Sequence, residues 1–220
     1  MNIFDISSLG SEYSIYAKAF VGILAIVNPL GGVPIFLSLC DDRSPAERRQ
    51  VANRTAFSVA IILLIVLWAG ELILSFFGIG IPAFRTGGGL LILLMAIAMM
   101  HAKRSSSRQT AEEADEAENK DDIAVVPLAM PLLAGPGAIS LVIIEAHQVS
   151  EITGRLVLSA SIVLVAATIL FTLRLATPIG DRLGVTGLNI ATRIMGLLLS
   201  AIAIQMIATG LTKLLPGLAS

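Results

Sequence analysis

Apolar residues occur along this chain in long blocks that short polar stretches separate. A run of about 20 apolar residues is long enough to cross a bilayer as a helix. We place such helices near residues 16–39, 55–77, 84–101, 124–147, 154–174 and 190–213. Polar connections at 41–54 and 102–122 separate three of these blocks. The pattern therefore predicts an all-α membrane protein with six transmembrane helices.

Composition supports the same class and narrows the chemistry. The 220 residues are 55% hydrophobic and 14% charged, against about 25% charged in an average soluble domain. The net charge of −1 predicts no nucleic-acid partner. The single cysteine, Cys40, predicts no intrachain disulfide and no cysteine-based metal site. No HExxH, GxSxG or P-loop pattern occurs. We expect no enzyme activity and no cofactor. For a transport function, a proton or a sodium ion is left open as the ion whose gradient drives it.

Basic residues lie mostly on one side of the predicted spans. Of the 15 Lys and Arg residues, only Lys18, Arg85, Arg155 and Lys213 fall on the side opposite the connections that follow the first, third and fifth helices. Basic residues near spans are retained in the cytoplasm. Both termini are therefore predicted to face outward, away from the cytoplasm.

Two proline motifs indicate an internal repeat. Asn28-Pro-Leu-Gly-Gly-Val-Pro34 in the first helix corresponds to Met130-Pro-Leu-Leu-Ala-Gly-Pro-Gly137 in the fourth, so two prolines five residues apart recur. The third and sixth helices open with similar runs, from Arg85 and from Arg193. Three helices per half is an odd number, so a shared fold requires the second half to be inverted.

This repeat defines the predicted organisation. Residues 1–101 form the first three-helix repeat, residues 102–123 a polar cytoplasmic linker, and residues 124–220 the second, inverted repeat. Together the repeats make one compact membrane domain, in which helices 1 and 4 are interrupted at mid-span.

Both proline motifs fall near the middle of their spans, where they are expected to unwind about a turn of helix. Broken backbone in a bilayer persists only where protein or water covers it, and paired interrupted helices in opposed repeats are typical of transporter binding sites. The predicted substrate site comprises Asn28, Pro29, Gly31, Gly32, Pro34, Pro131, Gly135, Pro136, Gly137 and Ser140. The alternative interpretation is that the breaks serve helix packing only.

Other polar residues are weaker candidates. Glu71 and Glu145 lie in or beside spans, where a carboxylate is a candidate ion site, but both are within about two turns of the outward end. Arg85 and Arg193 suit interfacial anchoring better than a carboxylate clamp. Gln205 predicts an interhelical hydrogen bond.

Four blocks together resemble the MarC family of bacterial inner-membrane proteins, within the wider LysE-like exporter group. The blocks are Asn28-Pro-Leu-Gly-Gly-Val-Pro34, Phe77-Gly-Ile-Gly-Ile-Pro-Ala-Phe-Arg-Thr-Gly-Gly-Gly89, Val126-Pro-Leu-Ala-Met-Pro-Leu-Leu-Ala-Gly-Pro-Gly-Ala138 and Thr192-Arg-Ile-Met-Gly-Leu-Leu-Leu199. The resemblance implies six spans, periplasmic termini and, from at least one archaeal relative, transport of glycine and other small neutral amino acids.

The expected function is secondary transport of small neutral solutes, with amino acids such as glycine or alanine as candidate substrates. The expected partners are the lipid bilayer and a small-molecule substrate, and a homo-oligomer is left open. The alternative is a non-transporting membrane scaffold or a stress-related accessory protein. A passive channel is disfavoured because no ring of charges lines a span.

Overall fold

The computed structural model describes residues 6–101, 123–149 and 151–218, and every regular element in these ranges is helical. The elements are α1 (Ile6–Val27), α2 (Pro29–Leu39), α3 (Pro45–Phe76), α4 (Ile81–Met100), a wide helical segment π1 (Ala124–Leu133), α5 (Pro136–Gln148), α6 (Ile152–Arg174) and α7 (Ala176–Leu214), followed by a short 3₁₀ turn, Pro216–Leu218. The predicted linker lies outside the described residues except for Ile123, which is buried.

Five stretches of the described helices are long and apolar enough to cross a membrane: Tyr16–Leu39, Pro45–Phe76, Ile81–Met100, Ile152–Arg174 and Thr186–Leu214. A sixth span is obtained when π1 and α5, which are bent by 62° relative to each other, are counted together. Large apolar side chains such as Ile65, Leu72 and Phe171 are exposed on the outer faces, where a bilayer would cover them. The prediction of an all-helical membrane protein is confirmed, with up to six spans.

The start of α3 differs from the prediction. We expected a polar connection as far as residue 54, but α3 begins at Pro45. Ser44 caps it: the Ser44 backbone N–H donates to Glu47 Oε2 at 2.8 Å, and Ser44 Oγ accepts from the Glu47 N–H at 3.4 Å. This capping box, with proline at the first helical position, begins the helix before its apolar part does.

Helix α7 also begins earlier than expected. The prediction placed a connection between Arg174 and residue 190, whereas α7 starts at Ala176 and is kinked at Gly184, where φ is 59° and ψ is 179°. Only glycine adopts that backbone conformation readily. The part before the kink packs on α2, since a Cβ added at Gly180 would lie 2.8 Å from Leu37 Cδ1.

Each of the first three spans packs antiparallel against the span three places later. For α3 and α6, Asn53 contacts Arg174 while Trp68 contacts Ser159. Between α4 and α7, Gly88 contacts Met206 and Ala96 contacts Gly196. Between α1 and α5, Gly22 contacts Leu141 and Ile26 contacts Gly137. In every pair, residue numbers rise along one helix as they fall along the other.

The bundle has two chemically different ends. We call the end that holds Leu39, Pro45 and Arg174 the arginine end, and the opposite end, which holds Phe76, Gln148 and Ile152, the Glu71 end. The interruptions between α1 and α2 and between π1 and α5 lie between these ends, within the hydrophobic core.

Candidate substrate site at the crossing of two interrupted helices

The first interruption is a single residue, Asn28, in the left-handed conformation with φ 47° and ψ 68°. Its backbone N–H donates to Leu24 O at 2.9 Å and so completes α1. Its side-chain Oδ1 accepts from the Gly31 N–H at 3.2 Å and so caps α2, which begins with Pro29. Asparagine is one of the few residues that both tolerates this conformation and caps a helix.

Pro34 does not belong to this interruption. We expected an unwound turn over residues 28–34, but α2 continues through Pro34 to Leu39, so that expectation is wrong. Proline has no N–H to donate, and the Leu30 carbonyl therefore lacks its helical partner. Leu30 and Pro34 are both exposed, so this proline lies on an outer face of α2.

The second interruption is longer than predicted and extends back through π1. Val126 and Met130 have extended backbone conformations inside this segment, and each precedes a proline, which disfavours the helical conformation. Gly135 is extended at φ −74° and ψ 176°, Pro136 begins α5, and no side chain caps this helix. A Cβ added at Gly135 would clash with the Pro131 carbonyl oxygen, so only glycine fits this turn.

The two interruptions contact each other. A Cβ added at Gly32 would lie 3.3 Å from Leu133 Cδ2, and one at Gly137 would lie 3.5 Å from Ile26 Cγ2. We call this region the crossing. It brings together the buried residues of the predicted site, which are Asn28, Pro29, Gly32, Gly135, Gly137 and Ser140, with Gly31 and Pro131 half-buried; Pro34 and Pro136 are exposed.

The crossing is polar but uncharged. Among residues 16–101, 123–149 and 151–218, no Asp, Glu, Lys or Arg is classed as buried, whereas Asn28 is 6% and Ser140 3% exposed. Neither Asn28 Nδ2 nor Ser140 Oγ hydrogen-bonds to another described residue. Because no fully buried side-chain nitrogen or oxygen in this part of the chain lacks a partner, both atoms must border accessible space. The crossing therefore offers an amide donor, a hydroxyl and the uncapped N-terminus of α5.

A second polar group, at the Glu71 end, contains residues that the sequence did not single out. Glu71 Oε1 on α3 lies 2.7 Å from His147 Nδ1 on α5, and Glu71 Oε2 pairs with Arg155 Nη2 on α6. His147 and Arg155 are distant from Glu71 in sequence, and no local motif links them. Only the packing of three helices reveals the group.

The other weaker candidates are not brought to the crossing. Arg193 and Gln205 are exposed, and the interhelical hydrogen bond predicted for Gln205 is not formed with any described residue. Arg85 and Glu145 are half-buried on α4 and α5.

A family model, the MarC family integral membrane protein, matches residues 13–215. The chain belongs to the MarC family. Among MarC family relatives, it is 42% identical over 207 residues to UPF0056 membrane protein BU267 of Buchnera aphidicola, covering 94% of this chain and 96% of the relative. It is 40% identical to UPF0056 membrane protein YhcE of Escherichia coli, with the same coverage.

An archaeal MarC relative, UPF0056 membrane protein MJ1677 of Methanocaldococcus jannaschii, is 39% identical over 89% of this chain and 95% of its own length. No solved structure matches the chain. The family match confirms the resemblance found in the sequence, and the relatives are described by their names as membrane proteins only.

Proposed function

We propose that this MarC family protein is a secondary transporter of small neutral solutes, such as glycine or alanine, and that the solute binds at the crossing. The observation that carries the proposal is the contact between two interrupted helices in the core, where Gly32 meets Leu133 and Gly137 meets Ile26. Interrupted helices at membrane depth are tolerated where they line a cavity. Asn28 Nδ2 and Ser140 Oγ, which bond to no other described residue, favour such a cavity over a packing kink.

The chemistry of the crossing supports a substrate without net charge. An isolated ion is costly at this depth unless it is paired, and no charged side chain is buried in the described residues. A zwitterion is compatible, because its carboxylate suits the uncapped start of α5 and its ammonium group suits a backbone carbonyl freed by a helix break.

We further propose that the halves are inverted repeats. In support, the helix contacts are preserved when the halves are exchanged: α4 packs on α5 as α7 packs on α2, and α3 packs on π1 as α6 packs on α1. The buried faces of α3 and α6 also match under this exchange. Leu63 and Val165 are both buried, and they are as far apart in the sequence as Pro29 and Pro131, the equivalent prolines of the two motifs.

The orientation follows from the distribution of basic residues. Arg43, Arg48, Arg174 and Arg182 lie at the arginine end, which we assign to the cytoplasm. The Glu71 end then faces the periplasm, as do both termini, in a bacterial inner membrane.

Reconstituted vesicles provide the test. The purified full chain should carry labelled glycine or alanine faster than empty vesicles do. Ser140→Ala removes an unpartnered hydroxyl without adding bulk, so flux should fall while the folded protein is recovered in normal yield. The matched control is Ser161→Ala, because Ser161 is also buried but donates to Val157 O of its own helix at 3.0 Å.

Flux equal to that of empty vesicles would reject these substrates. Equal flux in the Ser140→Ala and Ser161→Ala proteins would reject the crossing as the binding site. If, in addition, no amino acid raises the thermal stability of the protein, the scaffold alternative is favoured, because a ligand that binds the native state stabilises it.

A further inference from the structure

The Glu71 end contains a titratable group that the transport proposal does not use. Glu71 on α3 contacts both His147 on α5 and Arg155 on α6. One carboxylate thereby joins three helices. It also holds the far end of α5, whose near end is the interruption at Gly135.

The hydrogen bond to Glu71 fixes the state of the imidazole. An ionised carboxylate only accepts hydrogen bonds, so a neutral His147 must carry its hydrogen on Nδ1 and donate it to Glu71 Oε1. Nε2 then has a free lone pair. The His147 side chain is 52% exposed, so a proton can reach Nε2 from the aqueous phase at this end.

At the opposite end, a different kind of contact joins α3 and α6. There the two helices are joined by Arg174, whose Nη2 and Nε donate to Asn53 Oδ1 at 2.8 and 3.2 Å. Neither an amide nor a guanidinium changes its protonation near neutral pH. The chain has only two histidines, and His101 lies at the arginine end, with Nδ1 2.8 Å from Ile97 O of its own helix.

We propose that Glu71, His147 and Arg155 form a proton-binding latch that holds the outer end of α5. A proton from the aqueous phase binds His147 Nε2, and no covalent bond to carbon, nitrogen or oxygen breaks. The bond from Nδ1–H to Glu71 already has an ionised acceptor, and with the imidazole protonated it also gains the Coulomb attraction between two opposite charges. Protonation tightens the latch, and deprotonation loosens it.

The elements around this site carry further charged groups, and among the described residues Glu71 pairs with His147 and Arg155. Glu145 on α5 and Arg85 on α4 interact with each other. Glu151, just before α6, accepts a hydrogen bond from Thr153 Oγ1. Glu71 and Arg155 belong to the latch itself. The charges of Glu71 and Arg155 cancel each other. Protonation of His147 therefore gives the latch a net positive charge, and α5 responds to this change.

The only tryptophan of the chain reports on the latch. Trp68 is one turn before Glu71 on α3, and its Nε1 donates to Ser159 Oγ at 3.3 Å, one turn from Arg155 on α6. In the full chain in nanodiscs, Trp68 fluorescence should change in one step when the pH is varied from about 8 to about 5. His147→Gln should abolish the step, and His101→Gln should leave it unchanged.

A second pair of variants tests the carboxylate. Glu71→Gln should reduce the fluorescence step, because the protonated imidazole no longer faces a negative charge, whereas Glu151→Gln should not. If wild-type fluorescence does not change over this range, or changes equally in the His147→Gln protein, the latch is refuted without any assumption about transport.

The link from the latch to flux rests on the proposed function and has its own readout. Glycine flux in vesicles should fall when the outer solution is acidified and should lose that dependence in the His147→Gln protein. A His147-dependent fluorescence step without any flux would retain the latch and reject the transporter. A flux whose pH dependence is the same in the His147→Gln protein would reject the link.

Discussion

The contact between Gly88 and Ser140 gives a direct test of how closely α4 and α5 approach. A Cβ added at Gly88 would lie 2.6 Å from Ser140 Cβ and 2.8 Å from its Oγ, whereas ordinary contact begins at 3.4 Å. The added Cβ would therefore be closer to Ser140 Cβ than ordinary contact allows, by almost 1 Å. The hydroxyl can rotate away, but Ser140 Cβ is bonded to the backbone, so the two helices must separate. Overpacking of this kind costs about 1–3 kcal/mol.

The neighbouring glycine is a matched control. Gly87 is on the same helix and is exposed, and a Cβ added there meets nothing within 4 Å. In a helix, alanine is favoured over glycine by about 0.5–1 kcal/mol, so Gly87→Ala should stabilise or be neutral. The free energies of unfolding of Gly88→Ala and Gly87→Ala should therefore differ by about 1.5–4 kcal/mol.

Thermal unfolding of both purified variants in one detergent measures the difference. In a chain of this length, 1 kcal/mol corresponds to about 2–4 °C, so the order of the two midpoints is readily resolved. A second change gives a specific rescue: Ser140→Gly removes the clashing Cβ and should lessen the penalty of Gly88→Ala, whereas Ser140→Ala keeps that Cβ and should not. If Gly88→Ala unfolds at the same temperature as Gly87→Ala, α4 and α5 are not packed this closely.

Two backbone positions give further predictions. Asn28→Gly keeps the left-handed conformation and loses the side-chain cap on Gly31, at a cost of only a few tenths of a kcal/mol. Asn28→Ala loses the cap at about 0.5–2 kcal/mol and adds about 1–2 kcal/mol of backbone strain. Thermal unfolding should rank wild type above glycine and glycine above alanine, and equal midpoints for the two variants would contradict the left-handed geometry. Gly184→Ala should lower stability by about 1–3 kcal/mol although nothing lies within 4 Å of the added Cβ, and an unchanged midpoint would show that the kink is not required.

The spans could be predicted because their apolar runs have the length that a bilayer requires. A hydropathy threshold misses the start of α3, because Glu47 and its neighbours are polar. The capping box at Ser44 begins the helix whatever the polarity of the turn that follows. The position of the first interruption was predicted to within a few residues, but its cause was not. The left-handed Asn28 breaks the helix, and Pro34 removes only one hydrogen bond.

The candidate site was only partly predictable from the sequence. The proline and glycine spacing identified residues that the structure brings together, including Gly32 and Gly137, because both motifs lie at similar depth. The latch at the Glu71 end was not predictable, since Glu71, His147 and Arg155 come from three helices and no spacing rule relates them. The sequence makes Glu71 only a weak candidate ion site near the outward end, and its two partners appear only when α3, α5 and α6 are packed.

The contacts also indicate which part of the bundle can rearrange. Helices α4 and α7 approach so closely that Cβ atoms added at Gly89 and Gly196 would each lie 2.9 Å from a carbonyl oxygen of the other helix, and such backbone contacts at two levels oppose sliding. Helices α3 and α6 are joined near both ends by polar side chains. Among the interrupted helices, α5 begins at the turn of Gly135, and its far end is held by the latch, with Glu145 and Arg85 interacting beside it. Motion that opens the crossing is therefore expected in α5, and a proton at His147 acts where that motion is restrained.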